Sequence, residues 1–150
     1  MLTFANKTDY FSVNGMYTKL ANMHHNWYPT HYNKYYGIYK QPFLYATEIK
    51  QGSNIYIIAR EDGKNVGFCD LDISGKKAWV AGIFVNPKYR GKGIATEMLE
   101  KAKTIAKEKG FNELNLCVCN KNPSAEQLYK RLGFKTQQVY EFASSMVTKL

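Results

Sequence analysis

Hydrophobic positions along the 150-residue chain change their spacing several times, and each change predicts a new element. A strand is predicted over residues 2–5, followed by a helix that Thr8 caps and that runs to about Met23. The apolar side of this helix is predicted to consist of Phe11, Met16, Leu20 and Met23. Residues 27–45 are rich in tyrosine and interrupted by proline and glycine, which predicts loop and short helix.

Three strands are predicted next. Residues 54–61 and 65–73 flank an Asp62-Gly63 pair, which is a hairpin signal, and a third strand follows Ser74-Gly75 and ends at Val85. Successive strands joined by such short turns predict an antiparallel meander.

Helical spacing returns after the third strand. From Ile94 the apolar residues recur every three or four positions until Gly110, which predicts one amphipathic helix. A strand around 114–118, a short helix around 125–132 and two strands, 134–141 and 145–149, complete the chain. With no repeat or linker, we expect a single domain over residues 1–150.

The turn between the third strand and this helix carries the most informative chemistry. Arg90-Gly91-Lys92-Gly93 combines glycines that admit close approach with cations and the free amides of a helix start, which predicts a phosphate-bearing ligand. The chain has no Gly-Lys-Ser/Thr sequence typical of nucleotide hydrolysis, and the third glycine of a dinucleotide motif is replaced by Thr96.

Two segments resemble the general N-acetyltransferase (GNAT) superfamily related to the yeast histone enzyme, with motifs like those of ribosomal-protein alanine acetyltransferases. Residues 90–95 resemble its Arg/Gln-x-x-Gly-x-Gly/Ala signature, and residues 122–134 resemble a later block with Asn, Leu-Tyr and Leu-Gly-Phe. The resemblance covers residues 55–140. It implies an α/β (α+β) fold with a mixed, mostly antiparallel sheet of about six or seven strands and about four helices, in which two strands splay apart to admit the cofactor.

The same resemblance implies acetyl-CoA as the acetyl donor. The backbone of the third strand would pair with the pantetheine arm, the glycine turn would wrap the diphosphate, and Asn122 would bond the pantetheine. A helix cap before Pro123 explains Asn122 equally. The implied cofactor-binding residues are Ile83, Val85, Arg90, Gly91, Lys92, Gly93, Ile94, Ala95, Thr96 and Asn122.

Tyr129 lies where the family places a tyrosine that protonates the departing thiolate, although helix packing also explains it. The implied reaction is direct acetyl transfer to a primary amine in a ternary complex. The family's glutamate base is absent, because residues 79–85 contain no acid. The conceivable substitutes are Asp70, Asp72, Glu48, His24, His25 and Tyr140.

The amine acceptor, whether protein, peptide or small molecule, is expected near the aromatic N-terminal third. A groove for the acceptor and ordinary packing both explain this composition. The residues concerned are His24, His25, Trp27, Tyr28, His31, Tyr32, Tyr35, Tyr36 and Tyr39. The three histidines lack a cysteine or carboxylate cluster beside them, so no metal site is predicted.

A formal net charge of +9 favours an acidic partner, which is satisfied by coenzyme A, by nucleic acid or by an acidic protein surface. Three cysteines and the absence of an apolar leader or membrane-length segment predict a cytoplasmic protein without membrane contact. We expect a monomer or a homodimer. Cys117 and Cys119 alternate along one strand, which does not match a metal or redox pair.

Three functions fit these observations. The first is an N-acetyltransferase acting on a protein, peptide or small-molecule amine. The second is a toxin-like member that acetylates the amino acid on charged tRNA, which the basic charge favours. The third is a non-catalytic module that binds acyl-CoA, which the missing glutamate favours.

Overall fold

A computed structural model describes residues 1–30 and 49–150 and contains a seven-stranded sheet in the order β1-β2-β3-β4-β5-β7-β6. All neighbouring strands are antiparallel except β4 and β5. The predicted mixed, mostly antiparallel α/β fold is therefore confirmed. The elements are β1 (Leu2–Phe4), α1 (Tyr10–Trp27), β2 (Asn54–Glu61), β3 (Lys64–Asp72), β4 (Ala78–Val85), α2 (Ile94–Glu108), β5 (Glu113–Cys119), α3 (Pro123–Arg131), β6 (Lys135–Val139) and β7 (Ala143–Lys149).

The predicted meander is β2, β3 and β4. Asp62 and Gly63 connect the first two strands with φ angles of 50° and 72°, so both central residues of the turn are left-handed. This is the turn geometry that matches the right-handed twist of a hairpin and that favours an Asp-Gly pair.

Each face of the sheet is covered by a helix. Helix α2 packs its apolar side, which includes Met98, Leu99 and Ala102, against one face together with α3. Helix α1 packs on the other face, where Met16, Tyr17 and Leu20 contact a separate cluster. No helix in residues 1–30 or 49–150 combines the length and the apolar character that crossing a membrane requires.

The start of α1 differs from the prediction. The side chain of Asn6, not Thr8, caps the segment: its Oδ1 accepts from the Thr8 amide at 2.8 Å, and Asp9 Oδ2 accepts from the Asn6 amide at 3.0 Å. Phe11 is 84% exposed and lies outside the core, whereas Val13 and Tyr17 are buried. The apolar side of the helix was predicted wrongly at Phe11 because the buried stripe is rotated toward Tyr17.

Strands β4 and β5 pair over a short distance and then diverge. Their parallel register includes only Ala78–Val80 with Leu114–Leu116, although β4 continues along β3 to Val85 and β5 continues along β7 to Cys119. We call the opening between residues 81–85 of β4 and 117–119 of β5 the strand gap. It is the splay that the family resemblance implied.

A bulge lies where the strands separate. The β3–β4 register passes from Asp70–Gly82 to Leu71–Val80, so Ala81 is an extra residue in β4. An extra residue bends its strand and increases the local twist. Ala81 therefore marks the position at which β4 turns away from β5.

Helix α1 contacts this bulge through Tyr17. A Cβ atom at Gly82 would lie 2.6 Å from the Tyr17 hydroxyl oxygen, so only glycine fits there. The Tyr17 hydroxyl donates to Oδ2 of the fully buried Asp70 at 2.7 Å, and Asn54 Nδ2 donates to Oδ1 at 2.7 Å. These bonds hold the phenol ring against the bulge.

We predict that Gly82→Ala lowers the free energy of unfolding by about 1–3 kcal/mol, because the new methyl group forces Tyr17 off its bond to Asp70. Denaturant unfolding measures the change. Gly75→Ala is the matched control, since a Cβ there meets nothing within 4 Å. The penalty should shrink in a Tyr17→Phe background, and equal stability of the Gly82 and Gly75 variants would contradict the contact.

Candidate functional site

Two cavities meet at the strand gap. The first, about 400 Å³, is lined by residues 79–83 of β4 and 116–119 of β5, with His24 and Asp72, and we call it the gap cavity. The second, about 540 Å³, is lined by the end of β4, by most of residues 89–96 and by α3, and we call it the turn cavity. The residues common to both walls are Leu20, Ile83, Asn122 and Tyr129.

The backbone of β4 faces the strand gap at Ile83 and Val85. The Asn86 amide donates to Val66 O at 2.8 Å, which fixes the hydrogen-bonded positions of the antiparallel β3–β4 pair at every second residue. Ile83 and Val85 occupy the alternate positions, so their amide and carbonyl groups point away from β3. These are the two residues whose backbone was predicted to pair with a pantetheine arm.

The glycine turn has the conformation that an anion site needs. Gly91 and Gly93 have φ angles of 76° and 82°, and a Cβ at either position would extend into open space. The first helical hydrogen bond of α2 runs from the Glu97 amide to Gly93 O at 3.0 Å, and no side chain in the described part of the chain caps this helix. The amides of Ile94, Ala95 and Thr96 therefore lie at the positive end of the helix dipole and are available to a phosphate.

Arg90 adds positive charge to the turn cavity. Arg90 donates from Nε to Val85 O at 2.8 Å and lies 5.5 Å from the Phe84 ring centre, so it also fastens the turn to the end of β4. Lys92, a predicted cofactor-binding residue, is not on the cavity wall, and its Nζ lies 5.3 Å from the Tyr89 ring centre.

Arg131 lies on the wall of the turn cavity and was missed from the sequence. The sequence feature that pointed to Arg131 is its spacing from Leu128, because residues three apart share a helix face. Leu128 also lines this cavity.

Asn122 caps α3, as the alternative interpretation predicted. Its Oδ1 accepts from the Ala125 amide and from the Ser124 hydroxyl, each at 3.3 Å. Its Nδ2 group donates to no acceptor within the described ranges, and the residue lines both cavities. The cap and a bond to a ligand are therefore compatible.

Tyr129 occupies the junction of the two cavities and is only 7% exposed. Burial raises the pKa of its hydroxyl well above the ordinary value, and the neighbouring Cys69 raises it further. The phenol therefore keeps its proton throughout the neutral range and can act as a proton donor.

The residues proposed as substitutes for the missing glutamate base lie in different parts of the structure. His24 and Asp72 line the gap cavity, whereas Asp70 is enclosed with Tyr17 and Asn54, and Tyr140 lies beyond β6. Burial lowers the pKa of His24 below its usual 6.5, which favours the neutral imidazole at physiological pH. The predicted residues that lie outside the described ranges are His31, Tyr32, Tyr35, Tyr36, Tyr39 and Glu48.

Cys117 and Cys119 share the wall of the gap cavity. Burial raises the pKa of both thiols, which makes them protonated and weakly nucleophilic at neutral pH. Among residues 1–30 and 49–150, no three His, Cys, Asp or Glu side chains form a group that could hold a metal ion.

Sequence comparison matches the chain to the acetyltransferase (GNAT) family over residues 17–134. The chain is 33% identical over 130 residues to an uncharacterised N-acetyltransferase of Methanocaldococcus jannaschii, covering 79% of this chain and 57% of that protein. It is 31% identical over 80 residues to a putative ribosomal protein bS18 alanine N-acetyltransferase of Bacillus subtilis, covering 53% of each. The matches thus span about half the length of these two relatives.

The fold is shared with solved acetyltransferase structures. The PaiA N-acetyltransferase of Thermoplasma acidophilum, crystallised with coenzyme A, superposes with a TM-score of 0.87 at 20% identity, covering 100% of this chain and 98% of that one.

Substitution of the glycine turn tests its predicted role in binding acetyl-CoA. Gly93→Ala should weaken the affinity by about tenfold or more in calorimetry. The left-handed conformation costs an alanine about 1–2 kcal/mol, and relief of this strain displaces the amides at the start of α2.

Gly110→Ala is the matched control at the other end of α2. Gly110 has a φ of 90°, and a Cβ there also meets nothing within 4 Å. Both variants should lose similar stability while only Gly93→Ala loses affinity. Equal acetyl-CoA affinity in the two variants would contradict the prediction that residues 91–96 bind the diphosphate.

Proposed function

The chain belongs to the acetyltransferase (GNAT) family, and we propose that it transfers an acetyl group directly from acetyl-CoA to a primary amine in a ternary complex. The observation that carries this proposal is the position of Tyr129. Its hydroxyl-bearing side chain lines both the turn cavity and the gap cavity, at the edge of the strand gap.

The two cavities have opposite chemistry, which supports a separate binding site for each of the two substrates. The turn cavity offers Arg90, Arg131 and the amide end of α2, which suit the diphosphate of acetyl-CoA. The gap cavity offers His24 and Asp72 and suits an amine. Since Ile83 lies on both walls, the pantetheine arm would lie along β4 and present its thioester between the cavities.

In the proposed reaction, the amine nitrogen attacks the thioester carbonyl and forms the new C–N bond while the C–S bond breaks. Tyr129 gives its proton to the departing sulfur, which leaves as the thiol of coenzyme A, and the second proton lost by the amine nitrogen restores the phenol. The backbone amide of Ile83 faces the strand gap and would polarise the carbonyl. The protonated Cys117 and Cys119 make a covalent acyl-enzyme unfavourable, which supports direct transfer.

An ammonium group must lose a proton before it can attack, and His24 is the residue we assign to this step. It lines the gap cavity, and its burial favours the neutral form that accepts a proton. A histidine on α1 thus replaces the glutamate that β4 lacks.

We predict that Tyr129→Phe lowers kcat by about 100-fold, because the thiolate then departs without a proton, while calorimetric acetyl-CoA affinity stays within about twofold. Release of free thiol during acetylation of an amine measures the rate. Tyr56→Phe is the matched control, since it also removes a hydroxyl from a buried tyrosine but lies outside both cavities. Unchanged turnover in Tyr129→Phe would contradict the role of Tyr129 as the proton donor.

We predict that kcat/KM falls with decreasing pH in a range below the usual histidine pKa of 6.5, because His24 with its lowered pKa then gains a proton and cannot accept another. His24→Gln should reduce kcat/KM by about 100-fold at neutral pH and abolish this acidic limb. His25→Gln is the control, since the neighbouring histidine does not line either cavity. An acidic limb that persists in His24→Gln would assign the base elsewhere.

A further inference from the structure

We propose that the acceptor is a small amine with a second cationic group, and that Asp72 and Trp79 bind this second group at the far end of the gap cavity. The inference rests on the proposed acetyl transfer and specifies its substrate. It follows from the charges on the two cavity walls and from the register of β3 and β4.

Asp72 is the only acidic residue among the described residues that line the two cavities. The arginines on these walls, Arg90 and Arg131, both lie in the turn cavity. In a chain of net charge +9, the gap cavity thus holds a local negative charge beside a strongly positive one. This separation directs the anionic cofactor and a cationic acceptor to different cavities.

The carboxylate of Asp72 is held in a fixed orientation. Its Oδ1 accepts from the Ser74 amide at 2.9 Å and from the Ser74 hydroxyl at 2.6 Å. Its Oδ2 accepts no hydrogen bond from the residues that the structure describes. One oxygen therefore positions the group, and the other remains available to an ammonium ion.

Trp79 supplies the second half of the site. Asp72 and Trp79 are directly opposite each other in the β3–β4 register, and both line the gap cavity. Side chains paired across neighbouring strands project from the same face, with Cβ atoms about 4.5–5.5 Å apart. A carboxylate beside an indole ring is a favourable environment for an ammonium group, which gains an ion pair and a cation–π contact.

The distance from this pair to the reacting centre sets the size of the acceptor. Ile83, which lines both cavities as Tyr129 does, pairs with Cys69, and Trp79 pairs with Asp72 three residues further along β3. At the usual strand rise the separation is about 10 Å. Allowing for the reach of the Asp72 side chain, an extended diamine spans this distance with one amine at Tyr129 and His24 and the other at Asp72.

The test compares cadaverine with n-pentylamine, which have the same carbon chain and differ in the second amine. Calorimetry on the protein saturated with coenzyme A measures binding without requiring turnover. Cadaverine should bind at least about tenfold more tightly, because only the diamine can hold an ammonium group at Asp72 and a second amine beside His24 at the same time. The same preference should appear in kcat/KM for acetylation.

Asp72→Asn should remove this preference by lowering the affinity for cadaverine more than the affinity for n-pentylamine. Asp62→Asn is the control, since it removes the same charge in the β2–β3 turn. Equal affinity of the wild-type protein for the two amines, or an equal loss for both in Asp72→Asn, would overturn the inference. Tight cadaverine binding without acetylation of any amine would instead retain the site and refute the proposed acetyl transfer.

Discussion

The separation of β4 from β5 is the constraint on which the rest of the structure depends. The two strands stop pairing after Val80 and Leu116, where the extra residue Ala81 bends β4. Tyr17 packs against Gly82 at this bend and is fixed by its bond to the buried Asp70. If β4 continued to pair with β5, its remaining amides and carbonyls would be hydrogen-bonded within the sheet, and no substrate could lie between the strands.

The separated strands also divide the charges. On one side of Tyr129, the glycine turn and two arginines form a positive cavity next to the free amides of α2. On the other side, burial lowers the pKa of His24 and favours its neutral form, and Asp72 adds a negative charge. In the proposed reaction, an anionic donor and a cationic acceptor would approach one another without competing for a single site, and their alignment at Tyr129 would supply much of the rate acceleration.

Local pattern predicted the elements of the central sheet well, because hairpins and amphipathic helices are encoded by neighbouring residues. Strand β2 spans Asn54–Glu61 as expected, and the Asp62-Gly63 turn has the predicted geometry. The face of α1 was less predictable, because Tyr17, and not Phe11, meets the sheet, and this depends on a contact with the distant Gly82. The strand gap came from the family resemblance alone, since a bulge is a property of the register between two strands.

The candidate site shows the same division. The glycine turn and Tyr129 lie in short contiguous motifs and were predicted from them. Arg131 had a usable signal in its spacing from Leu128, but a basic residue in the last turn of a helix is also typical of interaction with the helix dipole. The pairing of Asp72 with Trp79 and the approach of His24 depend on tertiary structure, so the sequence offered them only as candidates among other polar residues.

A crystal structure of the complex with acetyl-CoA tests the central claim most directly. We predict the diphosphate on the amides of residues 94–96, the pantetheine arm along Ile83 and Val85, and the thioester sulfur within hydrogen-bond reach of the Tyr129 hydroxyl. A complex in which β4 and β5 pair to their ends, or in which acetyl-CoA lies away from the strand gap, would contradict it.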